Sequence, residues 1–422
     1  MRRFLGFRSK RPAFLRDSLV ILSPDTEIAR IHLWVPVGSA RDTISGTAHF
    51  LEHVLLDFCQ QSAHSNRIDG SFNAFASYYW TVFVWEGPPD SASSVIEVLY
   101  GLFSLPSALN NTIERQRRIL RQEILELQGG GPEIKALERV CNTVYEGTAL
   151  ARSLVGTLQD LDSIQREHLV DFHGNYRSND ALLIVSCHQR AFARIRRATL
   201  GNSIVLPMNG SVKSSRVFPI KNKSIGVGDL IGEAAAMLAT EIVPDVGVAF
   251  ACVSQVLKEE DDGLLLHASR ILEHLAVRDI PGTLRFNLRD FVVSSRGIEI
   301  SSFLLPSRRF TLRGLVRGKV GHDPALIEGI VRRTLPTLGS ALSSESIFRG
   351  LALRESNYWE ANPRWSSSGQ FHLGSAASTY GIATAVSLSK STSISCLSWA
   401  RLRELLSCLG ESAETIAPKG TE

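Results

Sequence analysis

Strand-like and helix-like segments follow one another in a fixed order along the first half of the chain, and this order restricts the fold more than any other feature. Alternating or β-branched apolar residues predict strands in SLVILSPDTEIARIHLWVPVG, SFNAFASYYWTVFVW and ALLIVSC. Helical periodicity predicts helices in TAHFLEHVLLDF, in NNTIERQRRILRQEILELQ and in further segments before the last of those strands. The resulting ββαβαααβ order predicts an α+β fold, with helices packed on a mainly antiparallel sheet.

A comparable order of elements returns in the second half of the chain. Between the halves, residues 201–228 are rich in Gly, Ser, Pro and Lys, which is typical of a linker. Beyond them, VGVAFACVSQVL and DFVVSSRGIEISSFLL predict strands, and GLLLHASRILEHLAV predicts a helix. The chain has 422 residues and 44% hydrophobic content, enough for two or three domains. We predict two similar α/β-sandwich domains, at 1–200 and 229–422, although no repeat is visible residue by residue.

Charge and cysteine usage exclude several classes of function. The net charge of +4 is spread along the chain without a Lys/Arg block, so we expect no nucleic-acid partner. No run of 18 apolar residues occurs, so we expect no membrane span. The 6 cysteines are far apart and form no C-x-x-C pair, which argues against a disulfide framework and against a cysteine zinc cluster.

This cysteine pattern predicts a reducing compartment, with the cytoplasm as the expected location. The N-terminal segment MRRFLGFRSKRPAFLR is basic and contains no acidic residue before Asp17. Such a segment is typical of an organellar targeting sequence, although it also fits an ordinary basic lead-in to the first strand. An organellar matrix is therefore the alternative location.

Residues 49–53 read HFLEH, and their spacing suits a metal ion. On a helix, His49 and His53 share one face and can direct two imidazole nitrogens at the same ion. Glu52 lies beside them and can accept a proton from water whose pKa zinc lowers to about 7. H-x-x-E-H is the inverzincin signature. Because catalytic zinc takes three protein ligands, the motif predicts another ligand from a different element. An ordinary amphipathic helix with no metal is the alternative.

The surrounding sequence resembles a known family over much of the first half. VGSARDTISGTAHFLEHVL is similar to the metal-binding helix and preceding strand of the pitrilysin/insulinase/mitochondrial processing peptidase family. The likeness continues through IERQRRILRQEILELQ and YEGTALARSLVGTLQDLDSI, and it covers residues 18–190 in register. Over 229–410 it rests mainly on the order of elements. The resemblance implies the two-domain, single-length branch of this zinc peptidase family, with the metal in the N-terminal domain.

The family's third zinc ligand is a glutamate at the end of an E-R-x-R-x-x-x-x-x-E pattern. Here that pattern begins at Glu114 and ends at Glu123, so the resemblance implies one zinc ion per chain, held by His49, His53 and Glu123. Glu126 is the alternative ligand, although its spacing places it on a neighbouring face of the helix.

The place of a second, supporting glutamate is taken by Gln116. Glutamine keeps the capacity to form hydrogen bonds but carries no charge. The resemblance therefore implies that zinc binding survives at this site while turnover is reduced.

The resemblance also suggests how a peptide substrate is held. In this family the strand corresponding to SFNAFASYYW runs along the edge of the cleft, and the substrate adds to it as an extra strand. This implies that Asn73, Ala74 and Phe75 bind substrate. The alternative is a half-buried strand with no further role. An Asn inside an aromatic and β-branched run goes against strand propensity, which favours a function for Asn73.

Family enzymes complete the site with an arginine and a tyrosine from the C-terminal domain, and this chain departs from that pattern. The nearest segment is GTLRFNLRDFVV, in which Arg285 stands for the arginine, with Arg278 as a second possibility. Phe291 is the closest aromatic residue, and it lacks the hydroxyl that could stabilise an oxyanion. The resemblance therefore implies a heterodimer, in which a second family subunit without H-x-x-E-H supplies an Arg/Tyr pair. A homodimer is the alternative.

Together these observations predict a zinc endopeptidase that cleaves peptides or unfolded segments inside a closed chamber. The second hypothesis is a non-catalytic or weakly active family member that serves as a structural or peptide-binding subunit.

Overall fold

The computed structural model describes most of the chain. The described ranges are 17–23, 27–104, 109–188, 191, 203–206, 237–254, 262–292, 297–305, 308–342, 344–361, 371, 373–376, 399–400, 402 and 414–416. The basic segment before Asp17 and most of the predicted linker lie outside them.

The first half of the chain forms a six-stranded sheet with the strand order β3-β4-β2-β5-β1-β6. Its strands are β1 (Asp17–Ser23), β2 (Ala29–Val35), β3 (Ser71–Ala76), β4 (Thr81–Gly87), β5 (Leu182–His188) and β6 (Ser203–Leu206). Neighbours from β3 to β5 are antiparallel, whereas β1 is parallel to both β5 and β6. Strand β6 lies inside the predicted linker, whose limits stay a prediction.

The first half of the chain also forms six helices. They are α1 (Thr47–Asn66), α2 (Ala92–Gly101), α3 (Leu109–Gln128), α4 (Pro132–Val144), α5 (Leu158–Ser163) and α6 (Arg166–His173). Helix α1 packs against β3, and α2 packs against β2 and β4. Ile31, Leu33, Phe83 and Trp85, which alternate along β2 and β4, are fully buried, as expected for a sheet face that carries helices.

The second half forms a five-stranded sheet with the order β11-β7-β8-β10-β9. Its strands are β7 (Met237–Val243), β8 (Gly247–Val253), β9 (Ile298–Leu304), β10 (Phe310–Arg317) and β11 (Glu414–Ile416). Its helices are α7 (Asp262–Ala276), α8 (Leu284–Leu288), α9 (Pro324–Thr334) and α10 (Glu345–Ala361). The pairs from β7 to β9 are antiparallel, and β11 is parallel to β7.

The two sheets repeat one arrangement of consecutive elements. In the first, strand β2 is followed by α1, then β3 and β4, and β4 pairs back onto β2, leaving β3 outermost. In the second, β8, α7, β9 and β10 follow the same path, with β9 outermost. The predicted fold class, α+β with two similar layered halves, is confirmed.

Contacts divide the chain into two units that are not contiguous in sequence. The first comprises residues 1–120, 154–216 and 364–378, and the second comprises the remaining residues. Helix α4 accordingly packs on β7 and β8. The predicted domain limits at 200 and 229 stay a prediction. Residues 121–153 belong to the second unit and residues 364–378 to the first, so the units do not follow a single division of the sequence. None of the helices in the described ranges combines the length and apolarity needed to cross a bilayer.

Candidate metal centre

The start of α1 is fixed by a buried carboxylate. Asp42 accepts hydrogen bonds from the backbone N–H groups of Gly46, at 3.0 Å, and Ala48, at 2.9 Å. These are donors that the first turn of a helix leaves unsatisfied. Gly46 adopts φ +86°, and a Cβ there would lie 2.5 Å from the carbonyl oxygen of Val155. The first turn therefore has a defined position, and the HFLEH residues follow directly after it.

The motif side chains lie at the buried edge of α1. His49 and Glu52 are 7% and 3% exposed, and His53 is half-buried. The two imidazole rings are 4.8 Å apart between centroids, and a Glu52 carboxylate oxygen lies 3.9 Å from Nε2 of His49. Burial, followed by the neighbouring charge of His53, lowers the pKa of His49 to about 4. His49 is therefore neutral at pH 7, the state in which imidazole binds a metal ion.

Helix α3 is held against α1 by two arginines near its start. Arg115 forms an ion pair with Asp57 of α1. The Arg117 guanidinium lies over the ring of Phe50, 5.1 Å from its centroid, and donates a 2.7 Å hydrogen bond to the carbonyl of Ile164. Because α3 is one continuous helix, these contacts also position its next two turns, which carry Glu123.

The side chains of His49, His53 and Glu123 converge. One potential ligand atom from each lies within 4.8 Å of the other two. Among the described residues, this is the one group of three or more His, Cys, Asp or Glu side chains close enough to hold a metal ion. Tetrahedral zinc with bonds of about 2.0–2.2 Å separates its ligand atoms by roughly 3.3 Å, so small side-chain rotations suffice to close the site. Two imidazoles and a carboxylate form a donor set that suits zinc.

The alternative ligand on α3 lies differently. Glu126 is exposed, and its carboxylate accepts a 2.9 Å hydrogen bond from Gln122 on the solvent side of the helix. Gln116 is 6% exposed, seven residues before Glu123 and so on a similar face of the helix. The structure therefore favours Glu123 over Glu126, and the role of Gln116 stays a prediction.

The predicted substrate-binding residues lie on an outer strand. Strand β3 pairs with β4 on one side and is the last strand of its sheet as far as the structure describes it. Asn73 and Phe75 are exposed, whereas Ala74, which alternates with them, is buried. The Asn73 side-chain oxygen accepts a 2.9 Å hydrogen bond from the backbone N–H of Ala74. An outer strand is the geometry that addition of a peptide strand requires, although this role itself stays a prediction.

The predicted C-terminal residues belong to the second unit. Arg285 is half-buried on α8, and Arg278 follows the end of α7. The Phe291 ring is half-buried and contacts the ring of His322, with centroids 5.5 Å apart. The assignment of Arg285 as a catalytic residue stays a prediction.

Sequence reasoning missed the groups that hold the site in place. Asp42 precedes α1 by five residues, and an acidic residue just before an apolar helix is a recognisable start signal. Arg117 belongs to the E-R-x-R pattern, but its contacts with Phe50 and Ile164 join segments far apart in the chain. No local pattern could have indicated them.

The sequence around this centre matches a described family. Residues 19–158 match the profile described as Insulinase (Peptidase family M16), a span that contains all four residues of the candidate centre. The match covers about a third of the chain and identifies an insulinase-family domain there.

Relatives of this chain include processing peptidase subunits. It is 22% identical over 227 residues to the probable mitochondrial-processing peptidase subunit beta of Arabidopsis thaliana, covering 46% of the chain and 43% of that protein. It is 26% identical over 178 residues to the mitochondrial-processing peptidase subunit beta of Bos taurus, covering 40% of the chain and 36% of that protein. The matches thus span about two-fifths of the length of these relatives.

Solved structures share the fold over nearly the whole chain. A protease from Helicobacter pylori superposes with a TM-score of 0.66 at 16% identity, covering 93% of this chain and 94% of that one. Pitrilysin gives 0.63 at 17% identity, covering 92% of this chain and 42% of that one. A peptidase M16 inactive domain from Pseudomonas fluorescens gives 0.61 at 12% identity, covering 96% of both chains.

Proposed function

We propose that this chain is a zinc-dependent endopeptidase that cleaves peptides or unfolded segments in a closed chamber. The observation that carries the proposal is the convergence of His49, His53 and Glu123, with the Glu52 carboxylate buried beside them. Three protein ligands leave one position of a tetrahedral ion open, which is the arrangement of catalytic rather than structural zinc sites. The match to a peptidase family supports the same conclusion.

Each residue of the centre has a distinct task in this proposal. His49, His53 and Glu123 would hold a zinc ion, which when bound would supply Lewis acidity and lower the pKa of water to about 7. Glu52 accepts the proton from the attacking water and returns it to the nitrogen of the leaving amine. Gln116 offers an amide where the family has a carboxylate, and we expect turnover lower by about 10–100-fold for that reason.

The substrate is held, in this proposal, as an added strand on β3. Because α1 packs directly against β3, a peptide on the outer side of β3 would run close to the helix that carries both histidines. Backbone pairing grips an extended peptide without requiring a particular sequence, and Asn73, Ala74 and Phe75 would provide it. Arg285 would contribute positive charge where the oxyanion develops.

We further propose a partner subunit. The Arabidopsis and Bos relatives are named as beta subunits, and this chain offers Phe291 where a tyrosine is expected. A second family subunit that lacks H-x-x-E-H would supply the Arg/Tyr pair, and a homodimer is the alternative.

A reducing compartment fits the cysteines. Cys59, Cys141, Cys187 and Cys252, which lie in the described part of the chain, are all free and buried. The mitochondrial names of the relatives support an organellar matrix rather than the cytoplasm as that compartment.

Metal analysis combined with one substitution tests the proposal. Purified protein should contain about one zinc ion per chain, and His49→Ala or His53→Ala should lose it. Glu52→Gln should retain zinc but lose cleavage of an unfolded polypeptide, while Glu126→Gln, which changes an exposed carboxylate, should retain both. Protein that takes up no zinc, or cleavage that persists in Glu52→Gln, would contradict the proposal.

The same experiment separates the second candidate function. Gln116 in place of a glutamate, and the similar fold of a Pseudomonas fluorescens domain named inactive, are the observations that favour a non-catalytic subunit. That function predicts bound zinc and bound peptide without cleavage, both alone and after addition of a family subunit that carries an Arg/Tyr pair.

A further inference from the structure

A short helical segment from late in the chain packs on the first sheet. Phe371 and residues 373–376 lie in the same unit as strands β2, β3 and β4. The Phe371 ring makes edge-on contacts with three other rings, at centroid distances of 5.2 Å to Trp34, 5.5 Å to Trp80 and 5.7 Å to Phe75. Trp34 and Trp80 also contact each other at 4.6 Å.

The strand register shows what this ring spans. Trp34 of β2 pairs with Val82 of β4, and Val82 pairs with Phe75 of β3. Residues paired in this way project from the same face of a sheet, so the three side chains form one row across three strands. Phe371 contacts the first and last members of the row. It therefore bridges the inner strand β2 and the outer strand β3.

We propose that Phe371 is a positioning residue for peptide binding, which holds the outer strand β3 in the place where a peptide strand can pair with it. This inference rests on the proposed function, because it assumes that the peptide adds to β3. Phe371 acts through Phe75 and has no contact with the metal ligands in this role.

The two ends of the row differ in how firmly they are held. Trp34 is 0% exposed and Trp80 is 8% exposed, so both indoles belong to the rigid core. Phe75, by contrast, is 43% exposed on a strand that pairs on one side only in the described structure. Outer strands open more readily than inner ones, because fewer hydrogen bonds and buried contacts restrain them. The aromatic contact between Phe371 and the core therefore restrains the strand that has the fewest other restraints in this sheet.

The fit of the segment on Trp34 is close. A Cβ added at Gly374 would lie 2.1 Å from Cε2 of the Trp34 indole, far inside van der Waals contact. Only glycine lets this helical turn approach the indole so nearly. The bridge therefore depends on Gly374 as well as on Phe371, which provides two independent ways to disturb it.

Peptide binding in the absence of cleavage tests this inference. In a Glu52→Gln background, a fluorescein-labelled polypeptide that the wild type cleaves is titrated by fluorescence anisotropy, and bound zinc is measured on the same samples. We expect Phe371→Ala to weaken binding on the order of ten-fold, the size of a lost aromatic contact, with about one zinc ion retained per chain. Phe371→Tyr should restore most of the affinity, and Gly374→Ala should reproduce the loss.

A matched control and a thermal melt separate positioning from general damage. Phe303→Ala removes a half-buried phenylalanine from β9, the outer strand of the second sheet, and should leave the affinity unchanged. Unchanged affinity in both Phe371→Ala and Gly374→Ala would overturn the inference, as would a loss matched by Phe303→Ala. If the wild type binds zinc and a peptide but cleaves nothing, the proposed function is wrong. The titration then uses the peptide that binds, and the affinities of the variants for that peptide still test the inference.

Discussion

At the scale of single residues, two glutamates one turn apart on α3 have different surroundings. A carboxylate oxygen of Glu123 lies within 4.8 Å of a ring nitrogen of each motif histidine. Glu126 is exposed, and its carboxylate accepts a hydrogen bond from Gln122. The sequence pattern alone left both open, and the family resemblance favoured Glu123. The difference predicts that the two positions respond unequally to the same substitution.

Replacing Glu123 by Gln should abolish high-affinity zinc binding. The amide is a neutral and weaker ligand than the carboxylate, so we expect a loss greater than the roughly 100-fold that changes outside the ligand set produce. Zinc affinity is measured by competition with a chromogenic chelator. Glu126→Gln serves as the matched control and should bind zinc as the wild type does; equal losses in the two variants would contradict the assignment.

His32 is a second residue whose environment has a measurable consequence. It lies on β2 with 1% exposure, and neither ring nitrogen has a hydrogen-bond partner among the described residues. Burial, and secondarily the charge of Arg30, lowers the pKa of His32 from 6.5 to about 3. The unfolded chain therefore binds a proton between pH 6.5 and pH 3 that the folded chain does not. This contribution to stability is complete above pH 6.5 and falls as the pH drops.

We expect acid to destabilise the fold through His32. Each pH unit below 6.5 costs about 1.4 kcal/mol for such a group, so the loss at pH 5 is about 2 kcal/mol. Urea denaturation at pH 7 and pH 5 measures it. His32→Leu should reduce this pH dependence by about that amount, and His322→Leu, which changes an exposed histidine, should not. An equal pH dependence in wild type and His32→Leu would show that this histidine is not the group responsible.

At the scale of elements, the site depends on where helices begin and on what ties them together. The HFLEH spacing could be predicted from the sequence because a helix repeats every 3.6 residues. The position of α1 could not, since it rests on Asp42 and on close backbone contact between Gly46 and Val155. Such contacts join residues through space, and a periodic pattern contains no information about them.

Asp42→Ala should weaken both the fold and the metal site. Two buried N–H groups at the start of α1 would lose their acceptor, which costs about 1–3 kcal/mol of unfolding free energy. Because His49 lies in the first turn, zinc affinity should fall as well. Chemical denaturation and zinc competition measure the two effects. Asp42→Asn should recover only part of the stability, because its single carbonyl oxygen can accept from one of the two N–H groups. Asp69→Ala should change neither property, and intact zinc affinity in Asp42→Ala would refute the link.

In the second unit, a buried ion cluster joins α10 to α7. Glu355 is 0% exposed, and its carboxylate accepts hydrogen bonds from Nε of Arg270 at 2.7 and 2.8 Å. Burial raises the pKa of Glu355, but hydrogen bonds with His267 and His274, together with Arg270, outweigh this effect and hold the pKa at about 2. The cluster therefore stabilises the fold above the unfolded pKa of 4.5 and loses this contribution as the pH falls toward 2.

Glu355→Gln should destabilise the second unit strongly at pH 7. Removing the fully buried carboxylate leaves the half-buried Arg270 beside two imidazoles without its counter-charge, and breaking such a pair costs about 3–5 kcal/mol. Thermal or urea denaturation followed by circular dichroism measures this. Glu345→Gln changes an exposed glutamate of the same helix and should cost less than about 1 kcal/mol. A similar small cost for both variants would show that the cluster contributes little.

At the scale of the whole molecule, the sequence predicted two layered halves, and both sheets confirm them. The repeated order of strand, helix and hairpin followed from periodicity alone. The exchange of segments did not: α4 packs on the second sheet, and residues 364–378 group with the first. An amphipathic helix shows that one face is buried, but its sequence does not say which sheet buries it. The outermost position of β3 likewise depends on long-range pairing.

Because the candidate ligands come from two helices, zinc should stabilise the packing of α1 against α3. A metal that binds only the folded state adds about 2.7 kcal/mol when its concentration is a hundred times the dissociation constant. Urea denaturation with added zinc, compared with an excess of EDTA, measures this increment. His53→Ala should show no increment. An identical stability of the wild type with and without zinc would contradict the arrangement.

The central claim is that His49, His53 and Glu123 hold one zinc ion together, and anomalous X-ray scattering at the zinc edge tests it most directly. Crystals grown with zinc should show a single strong peak, with two imidazole nitrogens and one Glu123 oxygen at about 2.0–2.2 Å. A crystal structure with no anomalous peak at this place, or with a peak that Glu123 does not bind, would contradict the account.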